Sequence, residues 1–317
     1  MSSRHFEPPE SDDPALVATV DSGDILSSAT AALYVVATPI GNLADLSRRA
    51  VATLRSVSWI AAEDTRSSRP LLQSLGIGNA RCLALHAHNE RQQSARILDL
   101  IADGASVALI TDAGTPGISD PGAQLVADAH ARGIPVVPIP GASATTTLLS
   151  AAGLPGGRFF FEGFLPTRQK QRDERLQRLA AGGDAFMLFE APHRVEALAA
   201  DLLKALEPDR ALVVGRELTK RFEQIVRLPL GDFPAWLEAD ANHRRGEFAL
   251  LVFGRPEPDE AEDAEAATAP SEVGLKAMQV LTQQMPPRQA AKLAARISGD
   301  AADLLYRSHA RPGTDQG

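Results

Sequence analysis

The chain has 317 residues, of which 44% are hydrophobic, so it is long enough to bury the cores of about two domains. Its single cysteine, Cys82, excludes a disulfide framework and a cysteine-based metal cluster. The sequence has no apolar stretch of membrane-spanning length and no secretion signal, so we expect a soluble cytoplasmic protein without a membrane partner.

The acidic charge of the chain is concentrated in two segments. The net charge is -8, and residues 1–32 contribute -5 while residues 256–270 contribute -6, which leaves about +3 on the rest. Both segments lack periodic apolar residues, so we predict that 1–32 is a disordered tail and 256–270 an acidic linker. The remaining body is compatible with a phosphate-bearing partner, although its charge alone does not indicate one.

Residues 33–153 predict an α/β domain. Apolar runs of buried-strand length alternate with helical patterns, and the predicted strands are Leu33–Ala37, Val57–Ala62, Leu83–His88, Val107–Ile110 and Pro135–Ile139. Asp45 is the predicted cap of a helix that ends at Leu54, and Asp120 with Pro121 predicts the start of the helix over Ala123–Ala131. The repeated strand–helix–strand order predicts a parallel sheet of about five strands.

A breaker cluster at Gly153–Gly157 separates this domain from a second α/β domain over residues 154–255. The second domain has shorter strands and helices, which predict a mixed sheet. Residues 271–310 predict two or three short helices, and Pro287–Ile297 with residues 303–307 has the pattern of a helix–turn–helix. A small helical packing unit or a dimer contact explains that pattern equally, so nucleic-acid contact is one alternative among three.

Two loops of the first domain consist almost entirely of small residues. Thr111–Gly117 follows one predicted strand and Pro140–Ala142 follows the next. In an open parallel sheet, ligands bind outside the carboxyl ends of the strands, and small residues let a ligand approach the backbone. Either loop alone is explained by a tight turn, but two such loops at one edge favour a nucleotide-like ligand.

Polar side chains also follow several predicted strands. Glu63 and Asp64 end one strand, and Glu190 and Glu217 end two others, at positions where α/β proteins hold substrate contacts. A structural interpretation remains open for Glu63 and Asp64, namely a helix cap that pairs with Arg66 or Arg69. His86 and His88 share one strand face, but without a third ligand we predict no metal site.

Several catalytic motifs are absent from the sequence. It has no G-x-x-x-x-G-K phosphate loop, no complete dinucleotide fingerprint, no G-x-S-x-G elbow and no H-E-x-x-H pair. Hydride transfer, phosphoryl transfer, serine hydrolysis and zinc hydrolysis are therefore disfavoured. A cofactor that is bound mainly by backbone groups remains compatible with the loops, S-adenosylmethionine among them.

An ordered set of motifs then resembles a known family. The set comprises VATPIGNLADLSRRA (36–50), AAEDTR (61–66), HAHNE (86–90), DAGTPGISDPG (112–122), PGASA (140–144), FEGFLP (161–166), FEAPHR (189–194), RELTK (216–220) and RGEFALLV (245–252). It is similar to the bacterial ribosomal RNA small subunit methyltransferases I, within the tetrapyrrole methylase superfamily. The segment PRQAAKLAARISG (287–299) resembles the C-terminal extension of that family.

The resemblance implies a class III methyltransferase in which two α/β domains hold S-adenosylmethionine in a cleft between them, usually as a homodimer. It implies 2′-O-methylation of a cytidine ribose in 16S ribosomal RNA of the small subunit, near the decoding centre. The cofactor contacts of the superfamily fall on Pro39, Ala113, Gly114, Thr115, Ile118, Ser143, Ala144 and Ala191.

The implied reaction needs an in-line attack by a weak nucleophile, so a proton acceptor should assist it, with positioning alone as the alternative source of much of the rate. We favour Glu63 or Asp64 in this catalytic role, with Glu190 and Glu217 as the other candidates. RNA phosphates would be held by the cations near the predicted strand ends, which are Arg66, Arg194, Lys220, Arg244 and Arg245. Aromatic residues are only 5% of the chain, so we expect recognition of phosphate and shape rather than base stacking.

Two other function classes stay open. A methylase of small tetrapyrrole rings would share the cofactor loops but would not need the basic loops at 216–221 and 243–245 or the C-terminal helices. A non-catalytic RNA-binding protein would not need the small-residue loops.

Overall fold

The computed structural model describes residues 30–78, 80–255 and 270–310. The predicted tail and acidic linker lie outside this part of the chain, apart from residues 30–32 and Pro270. The chain divides into two units, with the boundary between Gly254 and Arg255.

The first sheet is five-stranded and entirely parallel, as the sequence predicted. Its strands are β1 (Leu33–Val36), β2 (Trp59–Ala62), β3 (Cys82–Ala84), β4 (Val107–Ile110) and β5 (Val136–Ile139), in the order β3-β2-β4-β1-β5. The helices are α1 (Arg48–Ser56), α2 (Thr65–Ser74), α3 (Glu90–Ala102), α4 (Ala123–Ala131) and α5 (Ala144–Ala152). Apolar residues of α1 and α2 pack on one face of the sheet, and those of α3 and α4 pack on the other. The central strands are therefore buried on both sides, which explains their uninterrupted apolar runs.

The second sheet is mixed, also as predicted. Its strands are β6 (Phe159–Phe164), β7 (Ala185–Glu190), β8 (Ala211–Arg216), β9 (Gln224–Pro229) and β10 (Phe248–Val252), in the order β6-β7-β10-β8-β9. Only β6 and β7 pair in parallel. One face is covered by α6 (Gln169–Gly182), α7 (Val195–Ala205) and α8 (Phe233–Ala239).

Helix α5 follows a strand of the first sheet but packs on the second. Leu148 of α5 is fully buried in a cluster with Met187, Val213 and Leu251 of the second sheet. A Cβ atom at Gly215 would lie 2.7 Å from the Leu148 Cδ1 atom, so the absence of a side chain there lets the helix approach. The start of α5 is thereby placed between the two sheets.

Three local predictions in the first domain are wrong, and one of them concerns Asp120 at the cavity. The strand predicted over Leu83–His88 ends at Ala84, because the Asn89 side chain accepts a hydrogen bond from the His86 N–H (2.8 Å) and donates one to the Ala84 carbonyl (3.1 Å). Asp45 is not a helix cap. It lies in the short 3-10 turn Leu43–Asp45, and the cap of α1 is Ser47, whose Oγ accepts from the Ala50 N–H.

Within residues 270–310, the described part of the C-terminal unit, the chain forms three helices, α9 (Glu272–Leu281), α10 (Pro287–Ser298) and α11 (Ala302–Ala310). They enclose a small core that includes Met278, Ala290, Ala294 and Leu305. Across the described ranges, no helix has both the length and the apolar character needed to cross a membrane.

Candidate functional site

A cavity of about 320 Å³ lies at the carboxyl edge of the first sheet. Its walls come from the loops after β1, β4 and β5, from the start of α5, and from residues of the second sheet. The residues that line it include Ile40, Ala113, Gly114, Thr115, Ile118, Ser119, Asp120, Ser143, Ala144, Thr145, Phe164, Phe189, Glu190, Ala191 and Glu247. Strands β4, β1 and β5 are adjacent, so the two small-residue loops meet at one edge, where such sheets bind ligands.

Gly114 seats one of these loops against the end of β1. Its N–H donates to the Thr38 carbonyl (3.1 Å) and its carbonyl accepts from the Thr38 N–H (2.9 Å). Its φ of +82° is in the left-handed region, and a Cβ there would lie 3.4 Å from the Ile40 Cγ2 atom. The peptide groups of Gly114 are thus already bonded, and its contribution to the cavity is the space left by the missing side chain.

The two small-residue loops are also bonded to each other. The Thr115 hydroxyl donates to the Ala142 carbonyl at 3.1 Å. A Cβ at Gly141 would lie 3.0 Å from the Cβ of Ala37, so the second loop passes close to the end of β1. These contacts hold the cavity floor in place without the use of large side chains.

Helix α5 begins at the cavity. Its N-cap, Ser143, makes no side-chain capping bond, and the first intrahelical bond is donated by Thr147 to the Ser143 carbonyl. The earlier N–H groups of the first turn carry the positive end of the helix dipole. Ser143, Ala144 and Thr145 line the cavity, so this end is suited to an anionic group of a ligand.

The opposite wall is supplied by the second sheet. Phe164 and Phe189 are 5.8 Å apart between ring centroids and form an apolar surface. Gly163 lies so close to the loop after β4 that a Cβ there would be 2.5 Å from the Ser119 Oγ atom. Both Gly163 and Ser119 have positive φ, +73° and +65°. The loop that carries Ser119 and Asp120 is therefore pressed against the second sheet.

Asp120 does not have the helix-capping role that the sequence predicted for it. It was predicted to cap α4, but the residue at the cap position is Gly122, with φ of +124°. The side chain of Glu90 instead accepts hydrogen bonds from the N–H groups of Gly122 and Gln124 at the start of α4. Asp120 lines the cavity, and burial, then the charges of Glu63 and Asp112, raise its pKa to about 7.

Glu190 is a second carboxylate in the cavity wall. It is 2% exposed, accepts a hydrogen bond from the Ala191 N–H (2.9 Å), and lies 3.3 Å from the Arg194 Nε atom. Burial raises its pKa, and the Ala191 N–H and the Arg194 charge oppose that effect without cancelling it. Arg194 also donates to the Leu165 carbonyl.

The two predicted catalytic carboxylates, Glu63 and Asp64, are beside the site but do not line the cavity. Asp64 is the N-cap of α2, where its side chain accepts from the Arg66 N–H (2.8 Å) and pairs with the Arg66 guanidinium (2.9 Å). These hydrogen bonds lower the pKa of Asp64 to about 2, so it is a poor proton acceptor. Glu63 accepts a hydrogen bond from the Asp112 N–H.

Lys220 joins three loops near the cavity. Its Nζ atom lies 2.8 Å from Glu217 and 3.0 Å from Glu247, and its side chain covers Gly41, where a Cβ would overlap it. A side chain at Gly246 would likewise overlap Glu217. Burial raises the pKa of Glu217, but the hydrogen bond from Lys220 and the N–H of Glu247 outweigh it, so the net pKa is lowered.

Four of the five cations predicted to hold RNA are engaged with carboxylates. Arg66, Arg194, Lys220 and Arg244 pair with Asp64, Glu190, Glu217 and Glu196 respectively. Arg245 is exposed, and its side chain has no ion pair or hydrogen bond within the described residues. It is thus the predicted RNA contact whose charge is most available to a partner.

His86 and His88 follow the end of β3. The rings of His86 and His88 are 6.1 Å apart between centroids. In the part of the chain that the structure describes, no group of three His, Cys, Asp or Glu side chains is placed to hold a metal ion.

Comparison with known proteins identifies the fold and the family. The family of Tetrapyrrole (Corrin/Porphyrin) Methylases matches residues 32–234, a range that contains most of the cavity. The chain belongs to this family. Among solved structures, diphthine synthase superposes with a TM-score of 0.54 (18% identity, 70% of this chain and 90% of that one) and the methyltransferase CobJ with 0.53 (19% identity, 70% and 94%). At these identities the likeness shows the tetrapyrrole methylase fold alone.

Sequence relatives show to which group within this family the chain belongs. The Ribosomal RNA small subunit methyltransferase I of Pseudomonas aeruginosa is 46% identical over 277 residues, which are 87% of this chain and 95% of that one. The protein of the same name from Escherichia coli O157:H7 is 44% identical, over 87% and 93% of the two chains. This tetrapyrrole methylase therefore belongs with the ribosomal RNA small subunit methyltransferases I.

The cavity fits the cofactor of the methyltransferase fold, S-adenosylmethionine. Seven of the eight predicted contact residues line it, and the eighth, Pro39, precedes the lining residue Ile40. Its volume is at the lower end of the range for small-molecule sites, and its walls combine small residues, an apolar surface and one helix start. Phe164, Phe189 and Thr145 were not predicted, because only the fold brings β6, β7 and α5 to the edge of the first sheet.

Proposed function

We propose that this chain transfers a methyl group from S-adenosylmethionine to the RNA of the small ribosomal subunit. The proposal extends to the site of transfer, the 2′-oxygen of a cytidine in 16S ribosomal RNA near the decoding centre. The single observation that carries it is the convergence of seven predicted cofactor residues on one cavity, in a chain that is 46% identical to a ribosomal RNA methyltransferase. The finer assignment rests on the motif resemblance.

The residues around the cavity have distinct roles in this proposal. S-adenosylmethionine, when bound, supplies an electrophilic methyl group. The first turn of α5 would bind its carboxylate, and Ala113, Gly114 and Thr115 leave room for the cofactor beside the backbone. Phe164 and Phe189 would give the bound cofactor an apolar surface on one side of the cavity.

The RNA is held outside the cavity. Arg245 offers an exposed guanidinium, and Lys220 with its two carboxylate partners orders the loops on which the cations lie. Only two tryptophans and two tyrosines are present in the chain, so contacts to phosphate and to the shape of the presented RNA fit its composition better than base stacking. We also propose the homodimer that the resemblance implies, which light scattering in solution would test.

A transfer assay tests the function. The protein is incubated with S-adenosylmethionine labelled in the methyl group and with small subunits from cells that lack this modification. We expect label on a cytidine ribose of 16S RNA, located by nuclease protection and by mass spectrometry of the nucleosides. Label on a base or on a protein would overturn the 2′-oxygen assignment. Tight cofactor binding without transfer to any subunit or precursor particle would overturn the RNA substrate, and tetrapyrroles would then be the acceptors to try.

A further inference from the structure

We propose that Phe222 is a stacking platform for a base of the RNA substrate, a role that rests on the proposed function. The residue lies in the loop between β8 and β9. It is 66% exposed, more than any other phenylalanine of the described chain, and it belongs to none of the hydrophobic clusters there. Single exposed apolar residues are common, so the inference depends on how this ring is held and on what surrounds it.

The loop that carries Phe222 is held in a defined conformation. The Arg216 side chain is only 5% exposed, and it donates to the carbonyls of Phe222 (3.3 Å) and Arg245 (2.9 Å). Glu217 and Thr219 both have positive φ, +51° and +65°, which is costly for residues other than glycine. Strain of this kind persists only where the surrounding structure enforces it, and it is concentrated at functional sites. The fold therefore presents Phe222 in a fixed position.

Phe222 is flanked by cations that are free to contact a partner. The Arg221 guanidinium lies over the ring, 5.6 Å from its centroid, and forms no ion pair within the described ranges. The loop of Arg245, whose side chain is likewise exposed and unpaired in that part of the chain, is tied to the Phe222 loop through Arg216. RNA supplies both groups that suit this surface, a planar base for the ring and phosphates for the arginines.

The same loop begins at the cavity. Leu218 lines the cavity, and the Lys220 side chain covers Gly41, which is next to the lining residue Ile40. Phe222 is four residues beyond Leu218, so their Cα atoms are at most about 14 Å apart. At about 3.4 Å of rise per nucleotide in a stacked strand, this distance corresponds to a few nucleotides. A base stacked on Phe222 is therefore close in sequence to the target nucleotide, and the stack helps to select which ribose reaches the cavity.

A second copy of the chain fits this surface less well than RNA does. A protein contact on Phe222 would also bury Arg221 and Arg245, and each buried charge would need a carboxylate partner. A two-fold interface is self-complementary, so the same cations would face each other across it. The chain is poor in aromatic residues, and one stacked base supplements the proposed phosphate contacts without replacing them.

Binding to small subunits that lack the methyl group tests the proposal. Filter binding compares wild type with Phe222→Ala, Phe222→Leu and Phe222→Trp. We expect about a 5-fold to 150-fold loss of affinity in Phe222→Ala and a similar loss in Phe222→Leu, because leucine is apolar but cannot stack, whereas Phe222→Trp should retain affinity. The salt dependence should stay that of the wild type, since no phosphate contact is removed. Affinity for S-adenosylmethionine should be unchanged in all three variants.

Phe160→Ala is the matched control for these variants. Phe160 is also an exposed phenylalanine (47%), but it lies on β6, at the opposite edge of the second sheet from β9. Its removal should leave the affinity for small subunits unchanged. A loss equal to that of Phe222→Ala would show that the effect is not specific to the loop between β8 and β9, which would overturn the proposal.

A fluorescence measurement separates contact with a base from contact with phosphate. Phe222→Trp is titrated with oligocytidylate of about ten nucleotides and with an abasic oligomer of the same length. The emission of the wild type, which comes from Trp59 and Trp236, is subtracted. We expect the added tryptophan to be quenched by the cytidylate and not by the abasic oligomer. Equal quenching by both, or no quenching by the cytidylate, would overturn the stack.

Three further outcomes distinguish the alternatives. Unchanged affinity for small subunits in Phe222→Ala, or full affinity in Phe222→Leu, would remove the stacking role. Conversion of a dimer to a monomer in Phe222→Ala, measured by light scattering, would make the residue a contact between copies and would also overturn the proposal. Failure of the wild type to methylate small subunits that it binds would overturn the proposed function instead, and the affinities of the variants would still decide the role of Phe222.

Discussion

Glu90, the first residue of α3, caps α4. Its Oε1 atom accepts hydrogen bonds from the N–H groups of Gly122 (2.8 Å) and Gln124 (3.1 Å), which lie more than 30 residues further along the chain. The helix start is therefore satisfied from a neighbouring helix and not from the preceding loop. This arrangement both ties α3 to α4 and frees Asp120 to face the cavity.

Removal of the Glu90 cap should destabilise the protein by a measurable amount. We expect Glu90→Ala to lower the free energy of unfolding by about 1 kcal/mol, as for other lost caps, and Glu90→Gln to lower it less because an amide oxygen still accepts. Urea denaturation followed by circular dichroism measures the difference. Glu174→Ala, at an exposed position of α6, is the control. Equal effects of Glu90→Ala and Glu174→Ala would show that the cap carries no stability.

The contrast between Asp120 and Val107–Ile110 shows what the sequence could predict. The strand and the small loop after it are visible locally, because a buried parallel strand is an apolar run and a ligand loop is a run of small residues. The cap of α4 is not visible locally, because its acceptor comes from another helix. The strand prediction over Leu83–His88 was wrong for a similar reason. The alternating pattern indicated a strand, but the Asn89 side chain hydrogen-bonds to the backbone of Ala84 and His86, where the strand would have continued.

In the candidate site, too, local features were predictable from the sequence and contacts between distant residues were not. The two small-residue loops that line the cavity were predictable because their residues are small and contiguous. The sequence could not predict which cations are paired with carboxylates. Lys220 pairs with Glu247, 27 residues away, and Arg244 pairs with Glu196, 48 residues away. An ion pair between distant residues leaves no pattern in the chain. A list of basic residues therefore predicts where positive charge lies, but not which charges are free.

Gly114→Val should abolish cofactor binding. The valine would have to adopt the left-handed backbone φ of +82°, and its side chain would press on Ile40 at the cavity wall. We expect at least a tenfold loss of affinity for S-adenosylmethionine by calorimetry, with a stability cost of about 1–2 kcal/mol. Gly133→Val is the matched control, since Gly133 has φ of +66° with open space around it. Normal cofactor affinity in Gly114→Val would refute the placement of the site.

Arg245→Ala should reduce the salt dependence of RNA binding more than Arg244→Ala. The Arg245 side chain has no carboxylate partner in the described chain, whereas Arg244 lies 3.1 Å from Glu196. Each phosphate contact that is lost should lower the slope of log affinity against log salt by about 1. Filter binding to small subunits between 50 and 200 mM salt, a range of about fourfold, measures both slopes. Equal slopes in the two variants would contradict the distinction between free and paired arginines.

Asp201→Asn should weaken the packing of α7 against α6, the helices that carry Asp201 and Arg172, and change the response of protein stability to acid. The Asp201 and Arg172 side chains are only 5% and 11% exposed, and Asp201 also accepts from Gln169 and Lys204. Burial raises the Asp201 pKa, but these bonds outweigh it and hold the pKa below 3.8. Asp201 therefore stabilises the fold above about pH 4, and this contribution is lost as the pH falls further.

At neutral pH we expect Asp201→Asn to cost about 3 kcal/mol, because Arg172 remains buried without its counter-ion. The variant should also lose less stability than wild type on acidification below pH 4. Asp99→Asn is the control, since the Asp99–Arg132 pair is exposed and should contribute less than about 1 kcal/mol. Denaturant unfolding at several pH values separates the two cases, and equal losses would show that the buried pair is not special.

Asp120→Asn should stabilise the protein at alkaline pH. The pKa of Asp120 is raised in the folded state from 3.8 to about 7, so ionisation is easier in the unfolded chain. Wild-type stability should therefore decline relative to the variant as the pH rises from about 4 to about 7, and the gap should then stay constant. Because Asp120 is only half-buried, solvent screening limits the expected gap to about 1–2 kcal/mol. Melting curves of the two proteins at pH 4, 6 and 8 measure it, and curves that run parallel would mean that Asp120 is an ordinary acid. A widening gap would show that the fold gives up stability to keep a carboxylate near neutrality inside the cavity, which a purely structural aspartate would have no reason to require.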